Sequence, residues 1–235
     1  MDSINKVKSI SIWIFIVPFI AINACLILIT HFHELFSNED ILSNTIPYFD
    51  GGASISRTVR VFPTYLIFKP AMFLTAFLLI KYWIYNKKIV LSIYGEHNQI
   101  KKFLFFGIAS AICLVLHSIF LGIKYDYDLY KLFRRVIMLM FIIFEIVAQA
   151  YLVATLYSFR KKLFNYINQK ILIAKIILVS CLIIVAIISI PIISLPGDNF
   201  FGFSLKSFKH ALEWDYFVGV ISFYLLTFFM WKKQN

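Results

Sequence analysis

Six long apolar runs, separated by short segments that hold most of the charge, set the pattern of this chain. The runs cover approximately 9–30, 63–85, 103–123, 136–159, 171–195 and 211–231. Each reaches the roughly 20 residues that a helix needs to cross the hydrocarbon core of a bilayer. No polar stretch between them is long enough to bury a core of its own. The pattern predicts an all-α integral membrane protein: a single six-transmembrane-helix bundle over residues 1–235, with one long outward-facing loop between the first and second spans. The first run follows a basic start, as a signal peptide would, and Ile22-Asn23-Ala24-Cys25 is similar to a lipoprotein cleavage box. The run continues apolar past Cys25 to Ile29, so it is expected to be retained as the first span.

Composition strengthens this reading. At 61% hydrophobic residues, a chain of 235 residues has more apolar surface than a soluble interior can hide. The net charge of +11 would suggest nucleic acid in a soluble protein, but here most cations flank the spans, and no nucleic-acid partner is expected. The segments 1–8, 86–102, 160–170 and 232–235 are rich in lysine and arginine and contain only Asp2 and Glu96 as acids. Lys81 and Lys175, just inside two spans, belong to the same membrane face. The opposite segments hold most of the acids: Glu34, Glu39, Asp40, Asp50, Asp126, Asp128 and Asp198. Positive charge accumulates on the cytoplasmic side of membrane proteins, so both termini are expected there. The membrane would be the plasma or inner membrane or, in a eukaryote, a Golgi or endolysosomal one. Cys25, Cys113 and Cys181 all lie in apolar runs without metal-ligand spacing and read as small packing residues.

Candidate chemistry concentrates in 47–70, PYFDGGASISRTVRVFPTYLIFKP. Gly51 and Gly52, followed by Ser54 and Ser56, offer backbone N–H groups as in an anion-binding nest, with Asp50 beside them. Arg57, Arg60 and Lys69 add donors suited to a phosphate. A lipid headgroup would satisfy this set, and so would a solvated turn with cations snorkelling at the interface. Within the spans, Glu145 and Gln149 share one face of the fourth run. They read either as a polar stripe lining a cavity or as an interhelical hydrogen-bonding pair. Ser110 and His117 share a face of the third run, where Gly107 and Ala111 provide a small surface for close helix approach. At the opening of the sixth run Glu213 reads either as a helix partner of Lys209 at i−4 or His210 at i−3, or, with Asp215 and His210, as a group at the outer mouth. His31-Phe32-His33-Glu34 is a weak metal pattern and reads as an interface segment; no metal and no cofactor is expected. Nucleotide-binding, zinc-protease and nucleophile-elbow motifs are absent from the sequence.

The layout resembles a known family. Six spans with cytoplasmic termini, a long first outer loop with Pro47 and its glycines and serines, Pro63-x-Tyr65 at the second span and Leu212-Glu213-Trp214 at the sixth carry the resemblance. They are similar to the family that joins the FGF-receptor-activating protein, the damage-regulated autophagy modulators and the post-GPI-attachment lipid-remodelling proteins (Frag/DRAM/Sfk). The chain departs from that family's pattern where Asp50 stands for a loop serine and Glu145 for a histidine of the fourth span. The resemblance implies remodelling, sensing or moving a lipid or lipid anchor at the outer face, with membrane lipid as the partner. A membrane-protein partner or a second copy is compatible with it. Two other classes stay open: an acyl- or headgroup-transfer enzyme using His117 or His210 beside Glu145 or Glu213, and a small transporter or channel component.

Overall fold

The computed structural model describes residues 2–42, 45–123, 127–194, 199–200 and 203–232. Asp126, Asp198 and Lys233, part of the charge bias above, and Leu195, the expected end of the fifth span, lie outside the described residues. Eight helices are described: α1 (Asp2–His31), α2 (Pro47–Asp50), α3 (Ile55–Val59), α4 (Thr64–Tyr94), α5 (Asn98–Phe120), α6 (Asp128–Ser158), α7 (Gln169–Ser194) and α8 (Leu205–Met230). A 3-10 turn at His33–Leu35 follows α1, and a two-residue antiparallel ladder pairs Asn199–Phe200 with Phe203–Ser204 ahead of α8. Six helices among the described residues are long and apolar enough to cross a membrane: α1, α4, α5, α6, α7 over Gln169–Ser189, and α8.

Most of these helices extend further into their polar flanks than the apolar runs do. α1 starts at Asp2 rather than near 9, α4 continues to Tyr94 rather than 85, and α8 begins at Leu205 rather than 211. Lysine and arginine are good helix formers, so a charged flank ends the apolar run without ending the helix. Local signals set some of the ends. His97 caps α5 by accepting from the Gln99 amide, and Ser204 caps α8 by accepting from the Ser207 amide.

The six long helices form a closed ring in which each packs on its chain neighbour, α1–α4–α5–α6–α7–α8, and α8 closes against α1. Close approach of α4 and α5 depends on Gly107, where the ring of Trp83 occupies the space that a Cβ would need. The end that gathers both termini is stitched by hydrogen bonds to backbone carbonyls. Asn168 N–H donates to Met230 O at 2.8 Å, Lys232 N–H to Tyr166 O at 2.9 Å, and Lys8 Nζ to Trp231 O at 3.0 Å. Charge in the described segments at this end is predominantly basic. At the opposite end lies the segment between α1 and α4, where α2 packs on α8 and α3 packs on α1, α4 and α8. Cys25 and Cys113 are buried and Cys181 is exposed on α7; all three are free thiols.

Candidate functional site

The 45–60 segment folds because its polar groups satisfy one another. Asp50 accepts from the Thr45 hydroxyl at 2.5 Å, the Ile46 amide at 2.9 Å and the Gly52 amide at 2.8 Å. Slight burial pushes the Asp50 carboxyl up, and these hydrogen bonds more than offset it, so it titrates below the ordinary carboxylate range. Ser54 caps α3 by accepting from the Arg57 amide at 3.2 Å. The segment is pinned to α8 by Trp214, whose Nε1 donates to Ala53 O at 2.8 Å while its ring meets the edge of Tyr48 at 4.9 Å. His210 Nδ1 bonds Gly51 O at 3.0 Å. Gly51 itself sits at φ +60° against the Ser207 carbonyl, so a side chain there would overlap backbone.

This geometry revises the expected phosphate nest. The backbone amides are present but already hold anions or carbonyls of the chain itself. Gly51 donates to Pro47 O and Gly52 to Asp50, and Glu213 faces the amides of Ile55 and Ser56. The three cations do not all converge on it either. Lys69 turns away to Ile119 O at 3.4 Å and lies over Tyr65, Arg60 is exposed, and Arg57 lies near His210. Asp215 is exposed and Ser56 half-buried. His210 and Glu213 both face the loop.

A second cluster lies in the interior of the ring. Glu145 of α6 is 1% exposed and Lys175 of α7 is fully buried. The Glu145 carboxylate accepts from the Ser110 hydroxyl of α5, the Tyr224 hydroxyl of α8 and Gln149 Nε2 one turn along α6. Lys175 Nζ donates to Thr227 Oγ1 at 2.7 Å and lies 3.7 Å from the Phe223 ring centroid. Tyr82 of α4 bonds the same Thr227 hydroxyl at 3.2 Å and packs edge-on against Tyr224. His117 is not part of this cluster; its Nδ1 meets no hydrogen-bond partner among the described residues. His117 near the loop-side end of α5 and Glu145 in the core lie apart, whereas His210 and Glu213 both lie against the loop.

Lys175 escaped the sequence reading. Its position near the start of an apolar run gave it the look of a cation marking topology, and only the ring closure turns it inward. A third feature was missed for the same reason. Between α6 and α7 runs an open groove of about 900 Å³. Its walls are apolar, with Ala150, Val153 and Ala154 on α6 and Leu172, Ile176 and Ile183 on α7. Arg160, Lys161 and Gln169 line its end on the basic side. Arg160 stacks 4.1 Å from the Tyr157 ring centroid, and Gln169 Nε2 donates to Arg160 O at 3.1 Å. In comparison with known proteins, no family model, curated protein or solved structure matches the chain.

Proposed function

We propose that this integral membrane protein binds a membrane phospholipid, with an acyl chain in the groove between α6 and α7 and an anionic headgroup at Arg160 and Lys161. The observation that supports this most is the pairing of an apolar trough with two cations at one end of it. From Gln169 to Ile183 the α7 wall rises about 21 Å, more than one leaflet of an approximately 30 Å hydrocarbon core. Ala150 and Ala154, one turn apart, remove the side-chain volume that would fill the trough. Arginine and lysine at the mouth supply donors suited to phosphate.

The proposal keeps the ligand class that the family resemblance implies and moves the ligand. The loop offers fewer open donors, because Asp50 and Glu213 already occupy its amides. Its exposed apolar side chains, Phe49 at 88% exposure with Ile46 and Phe62, suit contact with the opposite membrane surface. On the positive-inside rule the groove mouth and both termini face the cytoplasm and the loop faces outward.

Mass spectrometry of lipids that co-purify with the protein tests this. An anionic phospholipid should accompany the wild type and be depleted in Ala154→Trp, which fills the trough, and in Arg160→Gln with Lys161→Gln, which removes the headgroup charge. Equal amounts of the same lipids in all three proteins would refute the groove as a lipid site.

A further inference from the structure

We propose that His117 of α5 and Arg134 of α6 bind the acidic headgroup, phosphate or carboxylate, of an anionic amphiphile at the loop-side end of the bundle. The site lies toward the other end of α6 from Arg160 and Lys161, and it does not depend on the groove or its occupant.

Both residues belong to the turns where α5 and α6 meet. Phe120 of α5 lies 5.4 Å from Phe133 and 6.3 Å from Tyr130 of α6, between ring centroids. His117 precedes Phe120 by one turn and Arg134 follows Tyr130 by one turn, and the two side chains interact electrostatically. The Arg134 guanidinium lies 6.0 Å from the Tyr130 ring centroid.

Helix chemistry accounts for some of the polar groups here. A helix C-terminus presents unpaired carbonyls, which attract donors and cations. The Tyr130 hydroxyl donates to Phe120 O at 2.9 Å, and Lys69 Nζ of α4 donates to Ile119 O at 3.4 Å. His117 and Arg134 are not used in this way. His117 is 8% exposed, and its Nδ1 and the Nε of Arg134 are both shielded from solvent. Neither atom has a hydrogen-bond partner among the described residues. Shielded polar groups in folded proteins are nearly always paired, and a guanidinium keeps its charge. The pair therefore suits an acceptor that carries negative charge.

The class of ligand follows from the surroundings. A phosphate or carboxylate has at least two acceptor oxygens, one for the Arg134 Nε–H and one for an Nδ1–H of His117. Tyr130, beside Arg134, also walls an open apolar pocket of about 590 Å³, together with Tyr127, Leu129, Leu132, Phe133 and Val136. An acidic group on an apolar tail fits both parts, whereas a free oxyanion fits only the pair. Lys69 adds positive charge from the α4 side.

Magnetic resonance of the full chain, labelled with isotopic nitrogen at its five histidines and held in dodecyl maltoside micelles, tests the proposal. Dihexanoyl phosphatidic acid or inorganic phosphate is added at fixed pH, and the His117 signal is the one missing from His117→Gln. The neutral detergent controls for apolar contact alone. Phosphatidic acid should shift the His117 signal saturably, at a concentration about tenfold or more below that needed of inorganic phosphate. Arg134→Gln should weaken binding by about tenfold to a hundredfold, as loss of a charge-assisted hydrogen bond requires. Leu132→Ser, on an exposed wall of the pocket, should weaken phosphatidic acid more than inorganic phosphate. No saturable shift at His117, or equal affinity in the wild type and Arg134→Gln, would overturn the site. Equal affinity for the two probes would overturn the amphiphile, since a free oxyanion then accounts for the binding. Should Arg134→Gln fail to fold, the wild-type titrations and the surface change Leu132→Ser decide.

Discussion

Gly51→Ala should release the 45–60 segment from α8. Gly51 is the left-handed residue that ends α2, at φ +60°, and an alanine there costs about 1–2 kcal/mol before any contact is counted. Its Cβ would also fall on the Ser207 carbonyl, which is backbone at the start of α8 and has no rotamer to change. The clash is relieved by lifting the loop, which gives up the bond between His210 and Gly51 O, the bond from Trp214 to Ala53 O and the Tyr48–Trp214 contact. Two hydrogen bonds and an aromatic edge contact, each about 1 kcal/mol, limit the loss to about 3 kcal/mol. The opening equilibrium should therefore shift by between about tenfold and about a hundredfold, at 1.4 kcal/mol per tenfold. Amide hydrogen exchange over residues 47–59 in liposomes or micelles reads that shift directly. Gly52→Ala would instead crowd the Thr45 side chain and disturb its bond to Asp50, without reaching the Ser207 carbonyl. Equal protection in Gly51→Ala and the wild type would refute the claim that this glycine holds the loop on α8.

Other tests address the same framework. Gly107→Ala should lower thermal stability by about 1–3 kcal/mol through overpacking against the buried Trp83 ring, measured by melting in detergent. The Asp50 carboxyl is depressed by its Thr45, Ile46 and Gly52 hydrogen bonds, so its stabilisation of the loop is full above the ordinary aspartate range. That stabilisation is lost as pH falls through the lower folded value; protection of the loop amides, relative to their intrinsic exchange rates, should fall on acidification in the wild type and lose this acid step in Asp50→Asn. Glu145→Ala should lower stability more than Glu145→Gln, because alanine leaves the buried Tyr224 hydroxyl without this acceptor at about 1–3 kcal/mol, while Gln149 keeps the Val220 carbonyl; equal melting temperatures would contradict this role of Glu145.

Apolar periodicity and length were enough to read six membrane-length helices and their approximate places, because the cost of unpaired backbone in a bilayer leaves few alternatives. Helix ends were harder, since Lys87, Lys88, Lys101 and Lys102 are polar yet lie within α4 and α5. The polar partners of Glu145 were only partly readable. Gln149 follows from the i+4 spacing, and Ser110 lay on a face already noted for small and polar residues. Tyr224 comes from a helix whose position around the ring no local pattern specifies. The loop misled for a different reason. Its glycines and serines do expose backbone donors, but Glu213, more than 150 residues away in sequence, arrives to occupy them. The groove could not be foreseen at all, because an alanine in a span reads as packing unless the neighbouring helix is known to stand away from it.

Photocrosslinking tests the central claim most directly. Liposomes containing an anionic phospholipid with a photoactivatable acyl chain would be irradiated with the protein, and the labelled residues mapped by peptide mass spectrometry. Labelling should concentrate on Ala150, Val153, Ile176 and Ile183, be suppressed in Ala154→Trp and be outcompeted by unlabelled anionic phospholipid but not by a zwitterionic one. Labelling spread evenly over the exposed faces of α1, α4 and α5 as well, with no response to the tryptophan, would contradict it.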